Sequence, residues 1–355
     1  SLINKRIKLI MAYTTINKPD DYFNTKLYTG TASTNAQTGI GFQPDWVWLK
    51  ARSYFVDHLL VDSMRGTDKY LKSNGVDAEQ TSGIILQSFD SDGFTLGNSD
   101  DVNRNSETYA SWNWKANGSG SSNTAGSINS TVSVNTTSGF SIVSWTGTGA
   151  NATIGHGLGV APKMILLKCR TQPDKWIVYH NSIGNTKYVV LNDTVGGTTG
   201  STHWNNTSPT SSVFSTGSSG NVSGVGETFI AYCFADVQGY SKFGSYTGNG
   251  NADGPFCFNG FSPSFVMIKR SDDNSTGRWV LWDNKRNTFN LMDNALFPNS
   301  NALENDGFWK IDGLSNGFKI KDPEVEMNSN GGFYTYMAFA EAPLVGTNNV
   351  PANAR

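Results

Sequence analysis

The densest group of residues suited to chemistry in this sequence is Asp90-Ser91-Asp92-Gly93, followed by Asn98, Asp100 and Asp101. Ca²⁺ takes about six to eight oxygen ligands from Asp, Asn and carbonyl groups, which makes Asp90, Asp92 and Asp100 a candidate metal site. The corresponding later stretch, Leu314-Ser315-Asn316-Gly317, keeps the turn and drops the acids. A hairpin turn accounts for both stretches and is the stronger reading. The four histidines, His58, His156, His180 and His203, show no i, i+2 or i, i+4 pairing of the kind a short metal motif needs, so packing or edge roles are expected. Asp62 and Asp283 each precede an arginine by three residues, Arg65 and Arg286. This reads as a loop salt bridge, worth under ~1 kcal/mol if exposed. No phosphate loop, dinucleotide fingerprint or nucleophile elbow occurs, and nothing singles out a carboxylate pair for sugar hydrolysis. Neither enzymatic activity nor a cofactor is expected.

Rings beside planar polar groups offer a second chemistry, because sugars stack their C–H faces on aromatics and hydrogen-bond to amides and carboxylates. Tyr54 with Phe55, Trp204 with Asn205 and Asn206, and Trp309 beside Asn305 and Asp306 have this composition and fall in loops or at strand ends. Tyr54, Trp204, Asn205, Asn206 and Trp309 are therefore the glycan-binding candidates. The competing reading of each ring is a cap on the end of a sandwich. Trp46, Trp48, Trp112, Trp114, Trp176 and Trp279 lie in recurring apolar strands and are assigned to the core. Asn-x-Ser/Thr triplets at Asn117, Asn151, Asn205 and Asn274 arise by chance in a chain this rich in Asn, Ser and Thr.

The elements that must position these residues come in three copies. Gly41-Phe42-Gln43-Pro44-Asp45-Trp46-Val47-Trp48-Leu49-Lys50 returns at Gly159–Lys168 and at Gly260–Lys269. Each copy has a Gly, a Pro three residues on, one variable residue, four apolar residues and a closing Lys, which predicts a turn feeding a strand buried on both faces. Each copy opens with an aromatic strand ending in Thr-Gly, at Thr29-Gly30, Thr146-Gly147 and Thr247-Gly248. Further strands are expected at 58–62, 176–180 and 279–283, and then at 69–71, 187–191 and 289–292. Hairpins are expected around Asp92-Gly93 and Asn316-Gly317, and closing strands at 107–114, 227–234 and 333–339. The fold class is all-β, as three tandem antiparallel β-sandwich domains, jelly-roll or lectin-like, with almost no helix. The bounds are 12–116, 139–237 and 238–343, with a Gly/Ser/Thr/Asn linker at 117–138 and a polar tail at 344–355. Sandwiches in series imply a stiff rod or a flat tile.

Composition agrees with this class. The chain has 355 residues, 16% of them charged, a net charge of -2 and 12% aromatics including 10 Trp, so a basic nucleic-acid footprint is absent. The three cysteines, Cys169, Cys233 and Cys257, are too few for a disulfide framework, although two could pair across repeats. The first ten residues lack the apolar core of a secretion signal, no apolar run approaches ~20 residues, and Met11 is a candidate initiator.

The run Gly139–Gly149 through Ile154–Lys163, the segment Phe89–Gly97, Tyr109–Ala116 and Phe234–Tyr240 resemble repeats in tail-fibre-like and other virion structural proteins of marine bacteriophages. That likeness extends over about 20–343 and supplies no catalytic or binding residue. It implies a virion or extracellular-surface location and a homo-oligomer in contact with other virion proteins. The expectation is a non-enzymatic tail fibre, spike or surface decoration that also contacts host-surface polysaccharide, without nucleic acid and without membrane insertion. The alternative is a stand-alone carbohydrate-binding or adhesion protein with no assembly role.

Overall fold

A strand with four apolar residues in a row needs cover on both faces. In the computed structural model, which describes residues 13–272, 275–346, 351 and 353, that need organises the molecule. The motif strands run Trp46–Ala51, Met164–Cys169 and Phe261–Arg270, and every residue of the first two is buried. In each repeat the motif strand lies between the closing strand and the next strand. The closing strands are Thr108–Trp114, Thr228–Phe234 and Phe333–Pro343, and the next strands are Leu59–Asp62, Ile177–His180 and Trp279–Asp283. The opening strands, Phe23–Thr29, Phe140–Thr146 and Ser241–Thr247, pair with the other side of the closing strand, and all these pairings are antiparallel.

A smaller sheet covers one face of each large sheet. It is Asn35–Gln37 with Gly93–Leu96 and Leu86–Asp90 in the first repeat, and Ala152–Gly155 with Val213–Thr216 in the second. In the third it is Phe256–Phe258 with Gly317–Ile320 and Ile311–Leu314. Three separate sandwich cores result, and alternation assigns Val47 and Leu49, Ile165 and Leu167, and Val266 and Ile268 to them. The residues between, Trp46 and Trp48, Met164 and Leu166, and Phe265 and Met267, point the other way into one cluster shared by all three repeats. Closing strands add Trp112, Trp114, Tyr232, Phe234, Met337 and Phe339 to that cluster. The Trp46 ring lies 4.2 Å from Tyr232 of the second repeat and 4.3 Å from Trp114, and Phe23 stacks on Phe339 of the third at 4.9 Å. The three repeats therefore close around a common core, a ring of sandwiches rather than the rod or tile expected from placing them in series.

Two further expectations change. The tract at 117–138 is not a bare linker: Ser121–Asn123 and Ser130–Asn135 are strands that extend the second large sheet, Ser130 opposite Trp145 and Val132 opposite Val143. Val132 and Val134 give that tract the alternation a sheet edge needs. In the third repeat no strand forms at 289–292; Met292 instead makes an isolated bridge to Ile311, and its side chain is buried in the third sandwich. Among the described residues, helix is limited to short turns such as Asp100–Asn103 and Val325–Asn328. No helix among the described residues is long and apolar enough to cross a membrane. Residues 1–12, with the candidate initiator Met11, and Asn274 lie outside the described residues.

Candidate functional site

The closing Lys of the repeated motif is buried in all three copies, and it reaches across to the preceding repeat. Lys50 Nζ donates to Ala51 O at 2.7 Å and to Asn301 O of the third repeat at 3.4 Å. Lys168 Nζ donates to Asp174 O at 2.7 Å and Val76 O of the first repeat at 3.0 Å, and Lys269 Nζ to Gly277 O at 2.6 Å and Thr194 O of the second at 2.8 Å. Burial pulls these ammonium groups down to about 8, 8 and 7. The next strand follows the same cycle. Trp176 Nε1 donates to Lys72 O and Trp279 Nε1 to Val190 O, both at 2.8 Å.

The Asp-Arg pairs are part of the same seams and not exposed loop bridges. Arg65–Asp62 and Arg286–Asp283, at 2.5 and 2.6 Å, are fully buried. Asp62 also accepts from Tyr232 Oη of the second repeat at 2.7 Å, and Asp283 from Trp112 Nε1 of the first at 3.0 Å. Burial opposes the Arg65 charge, but Asp62, Tyr232 and Glu79 outweigh it and push the guanidinium up. Glu79 joins Arg65 to Arg170 of the next repeat, and Glu304 joins Arg286 to Arg52 in the same way. At the seam between the second and third repeats, His180 and Ile183 replace the pair. His180 Nδ1 accepts from Ser182 N, so Nε2 carries the proton it donates to Tyr336 O at 3.1 Å. Burial holds this imidazole neutral, at about 4.

The glycan candidates do not form one site. Trp204 is 1% exposed, packed edge-on to Tyr179 at 5.6 Å inside the second sandwich, so it offers no face to a sugar. The short turn Ser201–Trp204 folds the ring inward and leaves Asn205 and Asn206 exposed beyond it, both at positive φ. Trp309 is half-buried between Phe297 and Phe308, and its carbonyl accepts from Trp282. The Tyr54 hydroxyl is bound to Asp100 O and Tyr109, with Arg104 over its ring.

The calcium candidates are engaged in turn structure. Asp92 accepts from Gly39 N and Gly41 N, and Asp90 from Thr95 Oγ1. No group of three His, Cys, Asp or Glu suited to a metal occurs among the described residues, so Asp90, Asp92 and Asp100 are not brought together as ligands. The three cysteines are buried free thiols.

A cleft of about 390 Å³ opens where the third repeat begins, lined by Tyr13, Asp236, Gln238, Lys242, Phe258 and Asn259. A second, of about 650 Å³, shares Tyr13, Asp236 and Gln238 with it. Residue-by-residue reading of the sequence missed Asn259 and Phe258. The signal was in the repeat register, where the residue before the motif glycine is Ile40, Leu158 and then Asn259.

Fold and seams together define an all-β protein whose three sandwich repeats share one core. The chain belongs to the family described as a domain of unknown function (DUF7483), whose model matches residues 18–343 and so takes in all three repeats as one unit. No curated protein and no solved structure matches the chain.

Proposed function

We propose that this chain is a non-enzymatic structural protein of a bacteriophage particle, part of a tail fibre, spike or surface decoration, assembled with its own copies and with other virion proteins. The observation that carries this reading is the use made of the recurring polar residues: Lys50, Lys168, Lys269, Asp62 and Asp283 are all buried in seams between repeats. What triplication preserved is the means of joining repeats, which suits a rigid block within a larger assembly. The virion setting is supported by the likeness of Gly139–Lys163 and Phe234–Tyr240 to phage repeats. Particles purified from the producing host, washed at high salt and analysed by mass spectrometry and immunogold microscopy, are expected to contain the chain at a fixed copy number on the particle surface. Its absence from washed particles would refute the proposal.

A further inference from the structure

Asn259 occupies a slot built for a hydrophobic residue. Its register partners Ile40 and Leu158 are 1% and 3% exposed and belong to the sandwich cores of their repeats. Asn259 is 7% exposed, and both its Nδ2 and Oδ1 lack any hydrogen-bond partner. A buried amide with neither donor nor acceptor satisfied is costly, and such groups call for a ligand or a function. Its backbone is fixed, with Asn259 N and Gly260 N both donating to Asn316 O at 2.9 and 3.0 Å.

The surroundings differ from the other repeats in the same direction. Two residues before the motif glycine, Gly39 and Gly157 are replaced by Phe258, a residue 56% exposed. A Cβ on Gly260, at φ +80°, would meet Tyr13 Oη at 2.3 Å and Phe258 Cε1 at 3.8 Å, so the Tyr13 hydroxyl and the Phe258 ring converge on the residue next to Asn259, and all three line the same cleft. Tyr13 Oη is held by Gly260 O at 2.8 Å. The cleft's acid and base cancel, because Lys242 Nζ donates to Asp236 Oδ2 at 2.8 Å while Phe243 N holds Oδ1 at 2.9 Å. The Asp236 carboxylate is thus occupied, and the site selects against charged ligands.

We propose that this cleft binds a neutral saccharide. The Asn259 amide offers one donor and one acceptor to two adjacent hydroxyls, a pairing that sugar rings present, and Phe258 and Tyr13 cover the C–H face. In this assignment the exposed Phe258 side chain turns aside to admit the sugar to the amide. The larger neighbouring cleft, which includes the exposed Val160, gives room for a second and third sugar unit. This site is independent of assembly into a particle and stands equally for a free adhesion protein.

The test uses the full chain and saturation-transfer NMR against millimolar maltotriose, cellotriose, laminaritriose, mannotriose and diacetylchitobiose, with trialanine as the peptide control. Signal transfer to at least one saccharide is expected, with Phe258→Ala weakening binding about tenfold or more. Asn259→Leu installs the residue the second repeat carries, so its melting temperature should hold or rise while saccharide binding is lost. Binding unchanged in Asn259→Leu, no transfer to any saccharide by the wild-type chain, or transfer to trialanine alone would each overturn the assignment. None of these results bears on presence in washed particles, so the two proposals fail separately.

Discussion

At the scale of single residues, the fate of a polar group depends on which repeat interface it meets. Asp62 was legible as a recurring carboxylate with Arg65 three residues on, yet its burial was not, because the partner that encloses it, Tyr232, lies 170 residues away in the second repeat. Removing one member of a buried pair leaves an uncompensated charge, which typically costs ~3–5 kcal/mol. Asp62→Ala should therefore destabilise the chain by about that amount in urea unfolding, whereas Tyr232→Phe, which removes a hydrogen bond donated to Asp62 and one accepted from Arg65 but leaves the ion pair in place, should cost less, about 1.5–3 kcal/mol. An Asp62→Ala loss below ~1 kcal/mol would return the pair to the status of an exposed bridge. His180 marks the third version of this position, where a neutral imidazole joined to Tyr336 O replaces the ion pair.

Among elements, the Thr-Gly ending of each opening strand has a steric cause. A Cβ at Gly30 would lie 2.1 Å from Arg104 O, at Gly147 2.5 Å from Gly224 O and at Gly248 2.4 Å from Ser329 O. In every repeat the strand end passes directly against the chain that follows the short helical turn before the closing strand. Rings clamp the same place, with Tyr28 on Tyr109 at 5.0 Å, Trp145 on Phe229 at 5.4 Å and Tyr246 on Tyr334 at 5.0 Å. Gly30→Ala is thus expected to lower the melting temperature through a backbone clash that no rotamer relieves, at a cost above ~1 kcal/mol. Gly83→Ala, where a Cβ meets nothing within 4 Å, is the control and should be neutral or slightly stabilising. Equal melting of both variants would mean that the strand end can move away freely. The strands themselves were readable because local pattern sets them: apolar runs at 46–49 and 164–167, and a hairpin turn at Asp92-Gly93. The tract at 117–138 was not, since its pairing to Trp145 and Val143 comes from a neighbour's edge and its composition reads as linker.

For the whole molecule, the decisive sequence fact is that the motif strand is apolar on both faces, whereas a two-layer sandwich needs only one apolar face. The second face had to be covered, and three equivalent faces cover one another, which a rod cannot do for its end repeats without special caps. Trp204 was misjudged for a related reason: its place in a polar, Asn-rich stretch says loop, while burial is decided by Tyr179 across the sandwich. A shared core also binds the repeats thermodynamically. Trp46 contacts Tyr232, and Phe23 contacts Phe339, so opening any one repeat strips apolar cover from the other two. Calorimetry of the intact chain should then give a single transition whose van't Hoff and calorimetric enthalpies agree, even though 355 residues ordinarily divide into independent domains. Trp46→Ala, which leaves a large cavity at the meeting point and typically costs ~3–5 kcal/mol, should weaken amide-exchange protection in the closing strands of the second and third repeats together with that of the first. Loss of protection confined to the first repeat, or three separable melting steps, would mean that each sandwich holds itself together and that the central cluster is only a contact between finished domains.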